Sequence, residues 1–141
     1  MSKDAKIDRL RSVHIFSKLS DADLRDVAEG TTEVAVKAGR VLARQGSTGA
    51  EAFVIESGEA TITVDGAEVG VISAGEIVGE MGLLTGGPRA ATITARTDME
   101  VQVIEPGHFQ ALLDKPSITK ALLLSVVERL RSADALLHHH H

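Results

Sequence analysis

The spacing of apolar and polar positions changes twice along the chain. From Lys6 to Val13 the apolar residues fall at Ile7, Leu10 and Val13 with charges between them, which predicts a helix. Ser20 suits a helix N-cap, Asp21 and Asp23 suit its first turn, and Leu24, Val27 and Ala28 form an apolar stripe that Gly30 ends. Ile15, Phe16 and Leu19 lie between these helices and are expected to anchor the pair to the body of the domain. From Thr31 to Val103 the period becomes two. Strands are predicted at Glu33–Val36, Val41–Arg44, Ala52–Glu56, Ala60–Val64, Glu68–Ile72, Ala90–Ala95 and Glu100–Ile104, with Asp65-Gly66 as the strongest hairpin signal. After Pro106 the helical period returns through Phe109, Leu112 and Leu113, and Lys115-Pro116 interrupts it. Ser117 to Leu136 then reads as one long helix, apolar over more than one face, which favours burial against the barrel, a partner, or both.

Short strands spaced roughly 8–12 residues apart, without crossover helices, predict a mainly β, α+β fold: an antiparallel β-barrel or jelly roll of about eight strands with flanking N- and C-terminal helices. No repeat or low-complexity linker divides the chain, so residues 1–137 are expected to form one domain. It comprises N-terminal helices over 1–30, a barrel over 31–105 and C-terminal helices over 106–137. His138–His141 read as an expression tag and carry no functional weight.

Composition narrows the chemistry. The 141 residues are 43% hydrophobic, yet the only aromatics are Phe16, Phe53 and Phe109, so core and pocket walls must be largely aliphatic. Without cysteine there is neither a disulfide framework nor a thiolate metal site, and His14 and His108, far apart, make a poor zinc pair. A net charge of −5 argues against a general nucleic-acid binder. No apolar run has membrane-spanning length and the N-terminus is too polar for a signal peptide, so a cytoplasmic protein is expected. No nucleophile, base and orienting group converge in the sequence, so an enzyme is not expected.

One stretch remains, Ala74 to Ala95, reading AGEIVGEMGLLTGGPRAATITA. Gly79 to Leu84 can form a short helical segment whose N-terminal N–H groups would favour an anion, and Gly79 permits close backbone approach. Pro88 fixes the chain ahead of Arg89, whose planar fork matches two phosphate oxygens, and the small Ala90 and Ala91 follow. Glu80 would repel a phosphate but can accept a hydrogen bond from a sugar hydroxyl. Two readings stand at this point: a cradle for a sugar phosphate, or a Glu80–Arg89 ion pair bracing a glycine-rich loop.

Gly79 to Thr92, GEMGLLTGGPRAAT, resembles the phosphate-binding cassette of the cyclic-nucleotide-binding domain family, which includes regulatory subunits of cyclic-AMP-dependent kinase, catabolite-activator-type regulators and nucleotide-gated channels. The Gly-Glu pair, its spacing to Pro-Arg-Ala-Ala and the order of strands around it carry the resemblance, as does the Glu56-Ser57-Gly58-Glu59 turn. It covers about Val13 to Arg131. The resemblance implies that Glu80 takes a ribose 2′-hydroxyl and Arg89 the cyclic phosphate, with Gly79, Met81, Gly82, Ala90 and Ala91 lining the cassette. Ala90 after the arginine leans towards cyclic AMP over cyclic GMP. Met81 and Gly82 depart from the commoner Leu-Ala, with little consequence expected. Val69, Val71 and Ile77 are candidates for the base wall. The last helix is the expected lid and output, with a Leu or Val from Ala121 to Leu130, or Arg129 or Arg131, as possible caps; the plain alternative for each arginine is a solvated helix position. No cofactor or metal is implied, only the nucleotide. A ligand-free module that dimerises through the last helix is the alternative. Nothing in the chain reveals an output domain, so a free-standing sensor and a piece of a longer regulator are both consistent with it.

Overall fold

The computed structural model describes residues 3–49, 51–79 and 87–139, with the side chains of residues 3, 4, 126, 129, 130 and 132–139 outside the description. In chain order the elements are α1 (Lys3–Arg11), a 3-10 turn (His14–Phe16), α2 (Asp21–Glu29), β1 (Thr31–Val36), β2 (Val41–Ala43), β3 (Ala52–Ser57), β4 (Ala60–Val64), β5 (Ala67–Ile72), β6 (Ile77–Val78), β7 (Thr92–Ala95), β8 (Met99–Ile104), α3 (Pro106–Leu113) and α4 (Pro116–His139). The eight strands form two antiparallel four-stranded sheets, ordered β1-β8-β3-β6 and β2-β7-β4-β5, which face each other as a jelly-roll-like sandwich.

The local signals explain most boundaries. The Ser20 hydroxyl accepts the backbone N–H of Asp23 at 3.2 Å, closing the first turn of α2. At the other end Gly30 does more than stop the helix. A Cβ there would lie 2.0 Å from the His108 ring, so only glycine lets α3 seat against α2, where His108 Nε2 lies 3.2 Å from the Val27 carbonyl oxygen. Asp65 and Gly66 both take positive φ (52° and 82°), and Val64 pairs directly with Ala67, the two-residue turn whose twist suits a hairpin.

Three features differ from the expectation. β6 is a separate strand of only two residues, too short to show alternation in sequence. β7 starts at Thr92, after Ala90 and Ala91 rather than on them. Ile15 and Phe16 sit in a 3-10 turn; buried with Val13 and Leu19, they anchor the helices as expected, and α4 packs on this turn.

There are two cores. The barrel interior holds Val36, Ala43, Phe53, Ile55, Ala60, Ile72, Ile93, Ala95, Met99 and Val101. The outer face of the β3–β8 sheet, through Ala52, Val54 and Ile104, packs against Leu10, Phe16, Leu24, Phe109, Ile118 and other helix residues. Alternation along β3 assigns Phe53 and Ile55 to one core and Ala52 and Val54 to the other.

A polar clamp crosses the helix–sheet boundary. The β3–β8 register slips between Ile55 and Ser57, and this bulge places the Glu56 side chain, 7% exposed, against α1. Arg9 on α1 reaches Glu56 (Nε to Oε2, 2.8 Å) and Glu33 on β1 (Nη2 to Oε1, 3.2 Å). Lys6 Nζ donates to the Thr31 carbonyl oxygen at 3.1 Å, and the Thr31 hydroxyl donates to the buried Gln102 Oε1 at 2.6 Å. Burial pushes the Glu56 carboxyl above its ordinary value; Arg9 pulls the other way, and the neighbouring Glu33 charge adds to the rise.

Candidate functional site

Arg89 follows Gly87-Pro88 on the approach to β7, and the loop after β2 holds its backbone. Its N–H donates to the Ser47 carbonyl oxygen, and its carbonyl accepts from the Gly46 N–H, each at 2.8 Å. One residue pair further along, the Gln45 N–H donates to the Thr92 hydroxyl at 2.9 Å. Pinned on both sides, Arg89 turns its side chain inward and is only 8% exposed.

The guanidinium sits in a socket with unusual walls. Nη2 donates to the Glu51 backbone carbonyl at 2.8 Å, and the guanidinium carbon lies 5.9 Å from the centre of the Phe53 ring. Gly79, at φ +87°, completes the wall: a Cβ there would meet Nη1 at 2.6 Å and the Glu51 carbonyl oxygen at 2.7 Å. Gly49 approaches from the β2–β3 loop, where an added Cβ would lie 3.2 Å from Nη2. Nε and Nη1 are buried and have no hydrogen-bond partner among the described residues, and no described carboxylate pairs with the charge. A buried cation so placed costs several kcal/mol unless an anion meets it, on the order of the penalty for any uncompensated buried charge. The socket opens into a cavity of about 230 Å³ lined by Val41, Leu42, Ala43, Arg44, Ser47, Gly49, Glu51 and Arg89. Arg44 is exposed at this cavity.

Two other cavities lie against α1. One, of about 310 Å³, is lined by Lys6, Ile7, Arg25, Ala28 and Glu29; the other, of about 300 Å³, includes Arg9, Ser12, Glu56 and Gly75. In the second, Arg9 is already paired with two carboxylates, and neither offers the orphaned guanidinium edge of Arg89.

The expected site residues are only partly brought together. Gly79 and Arg89 meet in the socket. Ala90 is exposed and Ala91 half-buried beside it. Glu80, Met81 and Gly82, together with the expected helical segment Gly79–Leu84 beyond its first residue, lie outside the described residues, as does the side chain of Arg129. Val69 and Val71 stand on β5 with 62% and 38% exposure and do not line the Arg89 cavity. Ile77 packs against the helical core, on the other face of the β3–β6 pair from the barrel interior, so it too is away from that cavity. Arg131 is exposed on α4.

Sequence reasoning missed the walls of the socket. Phe53, the Glu51 carbonyl, Gly49 and Arg44 lie some 30 to 45 positions before Arg89 and share no motif with it. One signal was legible: Gly46 and Gly49 make the β2–β3 loop a second glycine-bearing loop, as a close approach by another segment requires.

The family model described as the cyclic nucleotide-binding domain matches residues 33–115, more than half of the chain. The chain belongs to the cyclic nucleotide-binding domain family. The match runs from β1 through β8 and all of α3, and includes the whole Arg89 socket. A cAMP-dependent protein kinase regulatory subunit of Yarrowia lipolytica is 36% identical over 107 residues, covering 74% of this chain and 28% of that protein. The chain therefore spans little more than a quarter of that relative's length. Among solved structures, the regulatory domain of Toxoplasma gondii PKA with cAMP superposes with a TM-score of 0.77 at 26% identity, over 89% of this chain and 50% of that one. The regulatory subunit of a cAMP-independent protein kinase A from Trypanosoma cruzi, bound to guanosine, superposes with a TM-score of 0.74 at 25% identity, over 78% and 40%. Members of this cyclic nucleotide-binding domain family thus share the sandwich and flanking helices seen here.

Proposed function

We propose that this domain binds a cyclic nucleotide, with cyclic AMP favoured over cyclic GMP, and acts as a regulatory sensor and not as a catalyst. The observation that carries the reading is the buried guanidinium of Arg89 at a cavity, with no partner for Nε and Nη1 among the described residues. A cyclic phosphate is a singly charged diester with two free oxygens, which matches the fork. Glu80 takes the ribose 2′-hydroxyl, Ala90 and Ala91 contribute backbone contacts, and the aliphatic walls receive the base. The small Ala90 after the arginine supports cyclic AMP. The compartment that fits this role is the cytoplasm, and no described helix is long and apolar enough to cross a membrane.

The output element is α4. Leu123 and Leu124 on it are 61% and 45% exposed, while Ile118, Ala121 and Leu122 on the same helix are buried. Closure over the bound nucleotide would give the exposed pair an apolar partner. The same pair supports the second reading, a ligand-free module that dimerises through α4.

Isothermal titration of the full chain with cyclic AMP, cyclic GMP, adenosine and guanosine tests the ligand. The reading expects micromolar binding of cyclic AMP, weaker cyclic GMP, and much weaker nucleosides, because only the phosphate engages Arg89. Nucleosides bound as tightly as cyclic AMP would place this chain with the guanosine-bound kinase relative instead. Light scattering with and without cyclic AMP separates the readings of α4: a dimer that ignores nucleotide, in a chain giving no heat with it, favours the interaction module.

A further inference from the structure

We propose that Phe53 is a positioning residue for Arg89: its ring holds the guanidinium ready for the anion. The inference rests on the cyclic-nucleotide reading and names the residue that prepares its phosphate site.

Several observations converge on Phe53. Its ring lies 5.9 Å from the guanidinium carbon and is 5% exposed, a desolvated setting in which a cation over an aromatic face is held most strongly. The ring cannot drift, because Phe53 pairs with Val78 on one side and Val103 on the other and packs inside the barrel. Gly79 and Gly49 close in on the guanidinium from other directions, so Arg89 is confined on several sides. Every other member of the barrel core is aliphatic, a methionine aside, and the remaining phenylalanines, Phe16 and Phe109, belong to the helical core. Leucine or isoleucine would fill this slot as well as its neighbours fill theirs. An aromatic here therefore marks a demand other than packing.

The chemistry of the choice is specific. A carboxylate would occupy the same N–H donors that a phosphate needs, and that internal pair would have to break on binding. An aromatic face attracts the cation through its π electrons and takes up no N–H donor. With Nη2 given to the Glu51 carbonyl, Nε and Nη1 are held in place with no partner among the described residues. The side chain is thus ordered before the ligand arrives, so less rotamer freedom is lost on binding.

The test uses the full chain with Phe53→Leu and Phe53→Tyr. Phe53→Leu should weaken cyclic AMP and cyclic GMP by one common factor, about three- to thirtyfold, because the phosphate contact is shared by both. Phe53→Tyr, which keeps the face, should stay within about threefold of the unaltered protein. In the ligand-free protein, the Arg89 Nε–H proton resonance should lie upfield of those of exposed arginines through the ring current, and Phe53→Leu should remove that displacement. Equal affinity in Phe53→Leu, a Phe53→Tyr as weak as Phe53→Leu, or an Arg89 resonance without the displacement each overturns the proposal. The resonance needs neither ligand nor a stable variant. Absence of heat with both cyclic nucleotides in the unaltered chain instead sinks the function reading, and the spectrum still decides the ring contact.

Discussion

Two arginines reach into the β1-β8-β3-β6 sheet, and they are used in opposite ways. Arg9 comes from α1 to the helix-covered face and meets two carboxylates, Glu56 at 2.8 Å and Glu33 at 3.2 Å. Arg89 comes from the segment before β7 to the barrel side and meets a backbone carbonyl, an aromatic ring and two glycines. Arg9, 31% exposed, has its charge met within the fold and fastens the N-terminal helices to the sheet. Arg89, more deeply buried at 8%, meets no counter-charge among the described residues. The comparison teaches how to separate a structural cation from a binding one. The degree of burial does not decide it; the sign to look for is a counter-charge among the surrounding residues, present for Arg9 and absent for Arg89 among the described ones.

The largest expected effect lies on the Arg89 side. Arg89→Ala should weaken cyclic AMP by about 2–4 kcal/mol, the loss of a desolvated charge-assisted pair, as read by titration calorimetry. The sharper form of the comparison uses methionine at both positions, which keeps apolar volume and removes charge. In the ligand-free protein Arg89→Met should leave the melting temperature unchanged or higher, since a buried cation with no counter-charge among the described residues disappears. Arg9→Met should lower stability by about 1–2 kcal/mol, discounted for its exposure, because it strands Glu56. Equal losses in the two variants would break the distinction.

Next comes Gly79→Ala. The positive φ and the approach to Nη1 and the Glu51 carbonyl together should cost about 1–3 kcal/mol in denaturant unfolding, with nucleotide binding lost as well. The clamp has its own, smaller signature in pH. The folded protein holds the Glu56 proton more tightly than the unfolded chain does, so ionising Glu56 favours unfolding. Its contribution is full below the ordinary value of 4.5 and falls as pH rises through the folded value. Glu56→Gln should remove that decline, so its stability relative to the unaltered protein improves between pH 4 and pH 7. A difference that is flat across this window would contradict the assignment. The smallest effect is expected at Lys18–Glu128, a 2.9 Å pair between exposed side chains, where Glu128→Ala should leave the thermal midpoint unchanged at physiological salt.

Local chemistry made much of this protein legible in advance. The Ser20 cap, the Asp65-Gly66 hairpin, the strand alternation and the Pro106 and Pro116 helix starts are all decided by residues within a few positions of each other. Arg89 was legible as a candidate anion ligand because its guanidinium and the glycines and proline around it form one contiguous motif. The candidate base wall of Val69, Val71 and Ile77 rested on strand alternation. Strand alternation alone does not tell which side of a closed sandwich a valine faces, and Val69 and Val71 stand exposed, away from the Arg89 cavity. β6 escaped notice because two residues carry no period, and Glu56 read as a turn residue because a bulge is invisible without its partner strand.

The chain's own order of residues therefore determined its elements, its sandwich class and the cation at its centre, since propensity, capping and periodicity act over short distances. Tertiary structure alone decided that no carboxylate among the described residues would pair with this cation, that Phe53 would stand beneath it, and that Gly79 and Gly49 would enclose it. These contacts join β3, the β2–β3 loop and the segments flanking β6 and β7. Their meeting follows from strand register and sheet closure, which are collective properties of the folded chain.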